Sequence, residues 1–261
     1  MTATVEELLR AESSARRGAA GHFLSESDVT RLLATITAVS ADTRSVLDIG
    51  CGLGALTDTL EASGYEVTGI DVDDEAMRQM RAPHQNASIA DIPFGDRSFD
   101  TVILNEVLEH LPEAVFTAGV REASRVAARH VIVTVPNGES LESASTRCEA
   151  CRCVYSVHGH VRRFDRRDLE DLIPGFRLTD VRTVGPFKVR HRSFEWFIRR
   201  RLLDRYPVAP GTVCPQCLTT QHGLARSTEL GAGSRLGHVV RVIAGAPWSR
   251  WWLIGIYARD A

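Results

Sequence analysis

Four cysteines stand in two Cys-x-x-Cys pairs, Cys148-Glu149-Ala150-Cys151 and Cys214-Pro215-Gln216-Cys217, separated by 62 residues. Two intervening residues let one turn aim both sulfurs at a point, so each pair can supply half of a tetrahedral zinc site. A zinc held by Cys148, Cys151, Cys214 and Cys217 would fasten two distant segments together, which is a structural role. Cys153, His158 and His160 compete as ligands, and a substitution of one of them for a cysteine would leave a position open to chemistry. A disulfide or free thiols are the other readings. Six cysteines in a chain expected to be cytoplasmic favour metal over a disulfide framework, and neither pair opens a helix after a strand, which disfavours a thioredoxin-like role.

A second group of residues suits a nucleotide-like ligand. Val46-Leu47-Asp48-Ile49-Gly50-Cys51-Gly52-Leu53-Gly54 reads as a buried strand that breaks into glycines at alternate positions, after which apolar residues resume at helical spacing. Bare backbone in such a turn can approach a ligand, and the following helix aims unpaired N–H groups at it. Cys51 in that turn reads as a small apolar filler. A second apolar strand ends in Asp71, about twenty residues on, where nucleotide-binding α/β folds place a carboxylate on ribose hydroxyls. The third glycine does not fall at the Gly-x-Gly-x-x-Gly spacing, which places NAD-type binding second. His110, His158 and His160 are the candidate general bases, since a neutral imidazole is available near pH 7.

With these residues the chain resembles the class I S-adenosylmethionine-dependent methyltransferases of the UbiE/UbiG-like group. Three later stretches extend the match in order: Ala90-Asp91-Ile92-Pro93-Phe94, Ser98-Phe99-Asp100-Thr101-Val102-Ile103 and Asn105-Glu106-Val107-Leu108-Glu109-His110-Leu111. The resemblance is close over about 45–137. It implies that Gly50, Gly52 and Gly54 approach the amino-acid part of S-adenosylmethionine and that Asp48 orders the turn or accepts from the cofactor's ammonium. It further implies that Asp71 accepts the ribose hydroxyls beside Val72, that Asp91 accepts the adenine amino group with Ile92 on the ring, and that Asn105 presents its carbonyl to the methionine portion. A histidine near His158-Gly159-His160 would lie over the acceptor.

The elements that must position these groups follow from periodicity. Helical spacing of Val5, Leu8 and Leu9, then Val29, Leu32, Leu33 and Ile36, marks two helices joined through His22-Phe23, the second capped by Ser25 or Ser27. From Ser45 strands and helices alternate, so the expected fold is α/β: a Rossmann-like, seven-stranded, mostly parallel sheet with helices on both faces and an inserted zinc-binding element. Strands are expected at 45–49, 66–70, near 87–90, 100–104, 130–135, 177–183 and 252–258, and helices at 74–81, at 113–127 and after Asp165. By resemblance the last strand runs antiparallel beside the fifth. The organisation is thus a helical cap at 1–44, a core at 45–184 with a zinc-ligand loop at about 146–163, an insertion at 185–250 and a final core strand at 251–261. The insertion is too long to be a structureless loop, and a helix is expected at about 193–205 with a loop at 231–237.

At 261 residues, 44% hydrophobic and 25% charged, the chain can bury a substantial core. No apolar run reaches membrane-span length, so neither a membrane partner nor a signal peptide is expected. A net charge of −2 argues against a general nucleic-acid binder. Between Arg152 and Arg205, however, 14 basic residues face 7 acidic ones, which favours an anionic acceptor or a solvated helix face. The resulting expectation is O- or N-methylation of a small molecule, in natural-product or sugar biosynthesis. The rivals are an RNA or protein methyltransferase and a cofactor-binding scaffold without transfer chemistry. Oligomeric state is left open.

Overall fold

Alternation along the central strands builds the two faces of the sheet. Val46, Ile103, Ile132 and Ile254 point into one apolar cluster, and Leu47, Ile49, Val102, Leu104, Val131 and Val133 into the other. The computed structural model describes residues 4–15, 24–142, 144–189, 206, 211–221 and 248–260. In chain order the elements are α1 (Val5–Ala15), α2 (Glu26–Ile36), β1 (Ser45–Ile49), α3 (Ala55–Ala62), β2 (Glu66–Asp71), α4 (Asp74–Met77), β3 (His84–Asn86), β4 (Phe99–Asn105), α5 (Glu113–Val126), β5 (Ala127–Pro136), β6 (Ser145–Arg147), β7 (Val154–Ser156), β8 (Phe176–Val189) and β9 (Trp248–Arg259).

Seven strands form one sheet in the order β3-β2-β1-β4-β5-β9-β8. The pairings of β3, β2, β1, β4 and β5 are parallel, and β9 runs antiparallel to β5 with His130 opposite Ala258 and Pro136 opposite Trp252. The fold is therefore the Rossmann-like seven-stranded arrangement. Helices α1, α2 and α3 contribute Leu9, Leu32, Ile36, Leu56 and Leu60 to one face, and α5 contributes Val120, Ala123 and Val126 to the other. Ser25 caps α2 through a capping box with Asp28, which satisfies donors at the helix start.

Three local expectations are corrected. The strand expected near 87–90 lies earlier, at His84–Asn86, where Gly69 pairs with His84. An edge strand of three exposed polar residues carries no hydrophobic signal, while the apolar Ile89 packs inward outside any strand. The helix expected at 74–81 stops at Met77: beyond it the backbone bonds tighten to the i→i−3 kind, from Arg78 N to Glu75 O and from Met80 N to Met77 O, and the buried carboxylate of Asp58 then accepts the N–H groups of Arg81 and Ala82. After Asp165 there is one 3-10 turn, Arg167–Leu169, instead of a longer helix. The expected helix at 193–205, the loop at 231–237 and the His22-Phe23 join lie outside the described residues.

The chain divides into two compact units, one of Met1–Asn137, Phe164–Pro186 and Arg250–Ala261, the other of Gly138–Arg163 and Phe187–Ser249. The first holds the sheet. The second holds the β6–β7 hairpin, whose register sets Ser145 opposite Ser156 and Arg147 opposite Val154.

Candidate functional site

The carboxyl ends of β1, β2 and β4 open onto a cavity of about 260 Å3 lined by Ile49, Gly50, Ile70, Asp71, Val72, Ala87, Ile89, Glu106, Val107, His110 and Leu111. This is the edge where open parallel sheets bind ligands. The glycine turn shapes one wall. The N–H groups of Gly50 and Cys51 donate to the Ile70 carbonyl at 2.8 and 3.1 Å, which ties the turn to β2. At Gly50 φ is +71° and an added Cβ would sit 2.4 Å from Val107 Cγ2, so no other residue fits without displacing a lining side chain. At Gly52 φ is +51° and an added Cβ would meet no atom within 4 Å. The bare backbone there faces open space, as a cradle for a ligand requires.

Asp71 closes the turn from the other side. Its Oδ2 accepts the Gly52 N–H at 2.8 Å and its Oδ1 the Asp73 N–H at 2.9 Å, so the carboxylate is fixed at the pocket wall.

Of the sequence-derived cofactor residues and His110, the lining holds Gly50, Asp71, Val72 and His110; Asp48, Gly52, Gly54, Asp91, Ile92 and Asn105 of the same unit are not among its residues. Asp48 is 1% exposed, and its position in β1 turns it to the α3 side, where Thr57 Oγ1 donates to its Oδ2 at 2.6 Å. Burial raises its carboxyl to about 7, against the opposing Thr57 hydrogen bond. This hydrogen bond ties β1 to α3, the two elements that flank the glycine turn. Asp91 is exposed, and Ile92 is buried with its N–H on Glu122 Oε2 at 3.0 Å; from this segment the lining takes Ala87 and Ile89. Asn105 turns its side chain to Arg31, whose Nη1 donates to Oδ1 at 2.7 Å. The residue after it, Glu106, reaches the pocket in a left-handed conformation with φ +59°. Sequence reading missed Glu106, because an acid one residue past a strand gives no sign of which way it turns. Burial pushes the Cys51 thiol well up, in keeping with a filler.

The second unit carries the thiols and two histidines. Cys148 and Cys151 lie in the turn of the β6–β7 hairpin, and Cys214 and Cys217 in a matching turn closed by the Val213–Thr220 bridge. The two turns repeat one hydrogen-bond pattern. Cys148 N donates to Cys153 O at 2.8 Å and Arg152 N to Cys148 O at 3.1 Å; Cys214 N donates to Thr219 O at 3.0 Å and Leu218 N to Cys214 O at 2.9 Å. Arg152 and Leu218, each directly after the second cysteine, share positive φ values of +65° and +59°.

The sulfurs of Cys148, Cys151, Cys214 and Cys217 all lie within 4.8 Å of one another, with Cys148–Cys217 at 3.5 Å and Cys151–Cys214 at 3.6 Å. A tetrahedron with Zn–S bonds of about 2.3 Å has sulfur edges of about 3.8 Å, so the donor set fits one zinc. Backbone N–H groups favour the thiolate at two of the four: that of Cys151 holds Cys148 below its ordinary value, and although burial opposes it, those of Cys217 and Gln216 hold Cys214 at about 6, while Cys151, against a backbone hydrogen bond from Cys153, is pushed well up by burial and its neighbouring thiols. Cys153 Sγ lies 3.2 Å from Cys214 Sγ and remains the competing fifth thiol. The His158 and His160 rings lie tilted by 38° with centroids 5.5 Å apart, and His160 Nδ1 contacts Glu139 Oε2.

Comparison with known proteins matches residues 47–135 to the methyltransferase domain family. These residues form a class I S-adenosylmethionine-dependent methyltransferase domain. A ubiquinone biosynthesis O-methyltransferase of Paracidovorax citrulli is 36% identical over 81 residues, covering 27% of this chain and 34% of the relative. The chain thus spans about a third of the length of that curated relative. Among solved structures, an S-adenosylmethionine-dependent methyltransferase of Archaeoglobus fulgidus aligns with a TM-score of 0.54 at 14% identity, covering 88% of this chain and 95% of that one. The cyclase SpnF aligns with a TM-score of 0.56 at 16% identity, covering 100% and 98%. At these identities the likeness concerns the fold, and one fold hosts more than one reaction.

Proposed function

We propose that this chain transfers a methyl group from S-adenosylmethionine to an oxygen or nitrogen of a small molecule. The observation that carries the reading is the pocket at the carboxyl ends of β1, β2 and β4, where the bare Gly50–Gly52 turn and the fixed Asp71 carboxylate meet. In this reading Asp71 accepts the ribose hydroxyls, the glycine turn holds the amino-acid part, and Val72, Ala87 and Ile89 enclose the base. The cofactor supplies an activated methyl group on a good leaving group. The residues need only orient the two reactants and exclude water, so positioning carries most of the rate.

His110 lines the pocket, which supports it as the base that takes a proton from an acceptor hydroxyl or amine. His160, oriented by Glu139, is the second candidate and His158 the third. The exposed Arg163, Arg166 and Arg167 favour an anionic acceptor, and the O-methyltransferase named among the relatives favours oxygen. In the second unit the four thiols would hold one structural zinc, joining 138–163 to 187–249. Such thiolates need a reducing setting, which fits a cytoplasmic protein, and among the described residues no helix is long and apolar enough to cross a membrane.

Native mass spectrometry with and without S-adenosylmethionine tests both halves: one cofactor and one zinc per chain are expected. Zinc without cofactor would remove the enzyme reading. A methyl-transfer screen with radiolabelled cofactor over anionic small molecules would follow, and steeply salt-dependent RNA binding with methylation of that RNA would replace the small-molecule acceptor by a macromolecule.

A further inference from the structure

The last strand reaches back to the pocket. Trp252 on β9 is 6% exposed and donates its indole N–H to Glu106 Oε2 at 2.8 Å. Glu106 is the first residue past β4, and its N–H is held by the Thr134 carbonyl of β5 at 2.9 Å. A left-handed glutamate persists only where its surroundings impose it, and strain of this kind collects at functional sites. Here the imposition comes from three elements. Thr134 holds the backbone, Trp252 holds the side chain, and Arg31 of α2 pins the preceding Asn105 while its guanidinium lies 5.4 Å from the Trp252 ring centroid.

The result is a second carboxylate on the pocket wall. Among the described lining residues the acids are Asp71 and Glu106, and Asp71, held against the glycine turn, is the one assigned to the ribose. Asp48, the acid expected for the cofactor's ammonium, is buried against Thr57 and absent from the lining. The geometry points to Glu106 as the carboxylate that receives the α-ammonium of S-adenosylmethionine, with Trp252 as its positioning residue. This rests on the cofactor reading above. A carboxylate in a mostly apolar, part-enclosed wall attracts an ammonium more strongly than it would in bulk water, and the indole donor fixes the rotamer that presents it.

Calorimetry on the full chain with three ligands tests the assignment: S-adenosylmethionine, S-adenosylhomocysteine, which keeps the ammonium but not the sulfonium, and 5′-methylthioadenosine, which lacks both. Glu106→Gln should weaken the first two roughly tenfold or more and leave methylthioadenosine within about twofold. Trp252→Phe, which keeps an aromatic ring beside Arg31, should show the same selectivity with a smaller loss. A merely structural role would weaken all three ligands equally, and that result would overturn the proposal, as would unchanged affinity for S-adenosylhomocysteine. If the unaltered chain binds none of the three, the cofactor reading itself falls.

Discussion

The Asp71 carboxylate accepts the backbone N–H of Gly52 at 2.8 Å, so the end of β2 and the turn after β1 are one rigid piece. A ligand resting on the glycine turn therefore meets a carboxylate that has already lost its rotamer freedom, which lowers the cost of binding.

Asp71→Ala should weaken S-adenosylmethionine binding by about 1 to 3 kcal/mol, through loss of an acceptor for the ribose and of the turn's own support. Calorimetry reads this directly, and an unchanged dissociation constant would remove Asp71 from the site. Asp71→Asn separates the two effects, because its amide oxygen can still accept from Gly52.

Gly50→Ala should destabilise the fold by about 2 kcal/mol or more, from the positive φ and the 2.4 Å approach to Val107 Cγ2. Removing the clash with a second change, Val107→Ala, should restore only part of the loss, since the backbone strain stays. Denaturant midpoints of the three variants decide this. Full recovery in the double variant would show that the steric contact alone matters.

Asp48 should leave a mark on stability against pH. Its folded carboxyl titrates at about 7 because it is buried, whereas an unfolded aspartate titrates at about 3.9. Between those values the folded chain keeps a proton that the unfolded chain has released. Its contribution therefore favours folding most at the acid end and declines as pH rises toward about 7. Asp48→Asn, which cannot titrate and can still accept from Thr57, should flatten that decline in melting temperature. An unaltered slope would mean that another group is responsible.

Cys214→Ser should abolish zinc retention and make the second unit sensitive to protease, while Cys153→Ser should keep one zinc per chain. Metal analysis after dialysis distinguishes them. Zinc lost on Cys153→Ser but kept on Cys217→Ser would exchange the ligand assignment between those two thiols.

His110→Ala should lower kcat with little change in cofactor affinity if His110 is the base, and His160→Ala should do so instead if the Glu139-oriented histidine acts. Single-turnover assays with the identified acceptor separate the two.

The sequence by itself determined the βα alternation, the glycine turn, Asp71 and the paired cysteines. Each of these is written in local terms: an apolar run of strand length, a glycine where φ must be positive, an acid at a strand's end, two thiols a turn apart. The antiparallel place of β9 came from resemblance to a family and agrees with the sheet order. Only the tertiary structure decided which way individual residues face. Asp48 and Asp71 look alike as acids on neighbouring strands and share one face by register, since Asp48 pairs with Gly69, yet Asp48 lies inside β1 against Thr57 while Asp71 stands at the end of β2 on the pocket wall. Asp91 and Ile92 carried the family pattern, while Ala87 and Ile89, just past the three-residue edge strand, are the residues of that segment in the lining. Glu106 depended on contacts to residues far along the chain, Thr134 and Trp252, and no local pattern encodes a partner 146 residues away. Backbone propensities and hydrophobic period act over a few residues. The direction of a side chain at a strand's end is set by what packs around it.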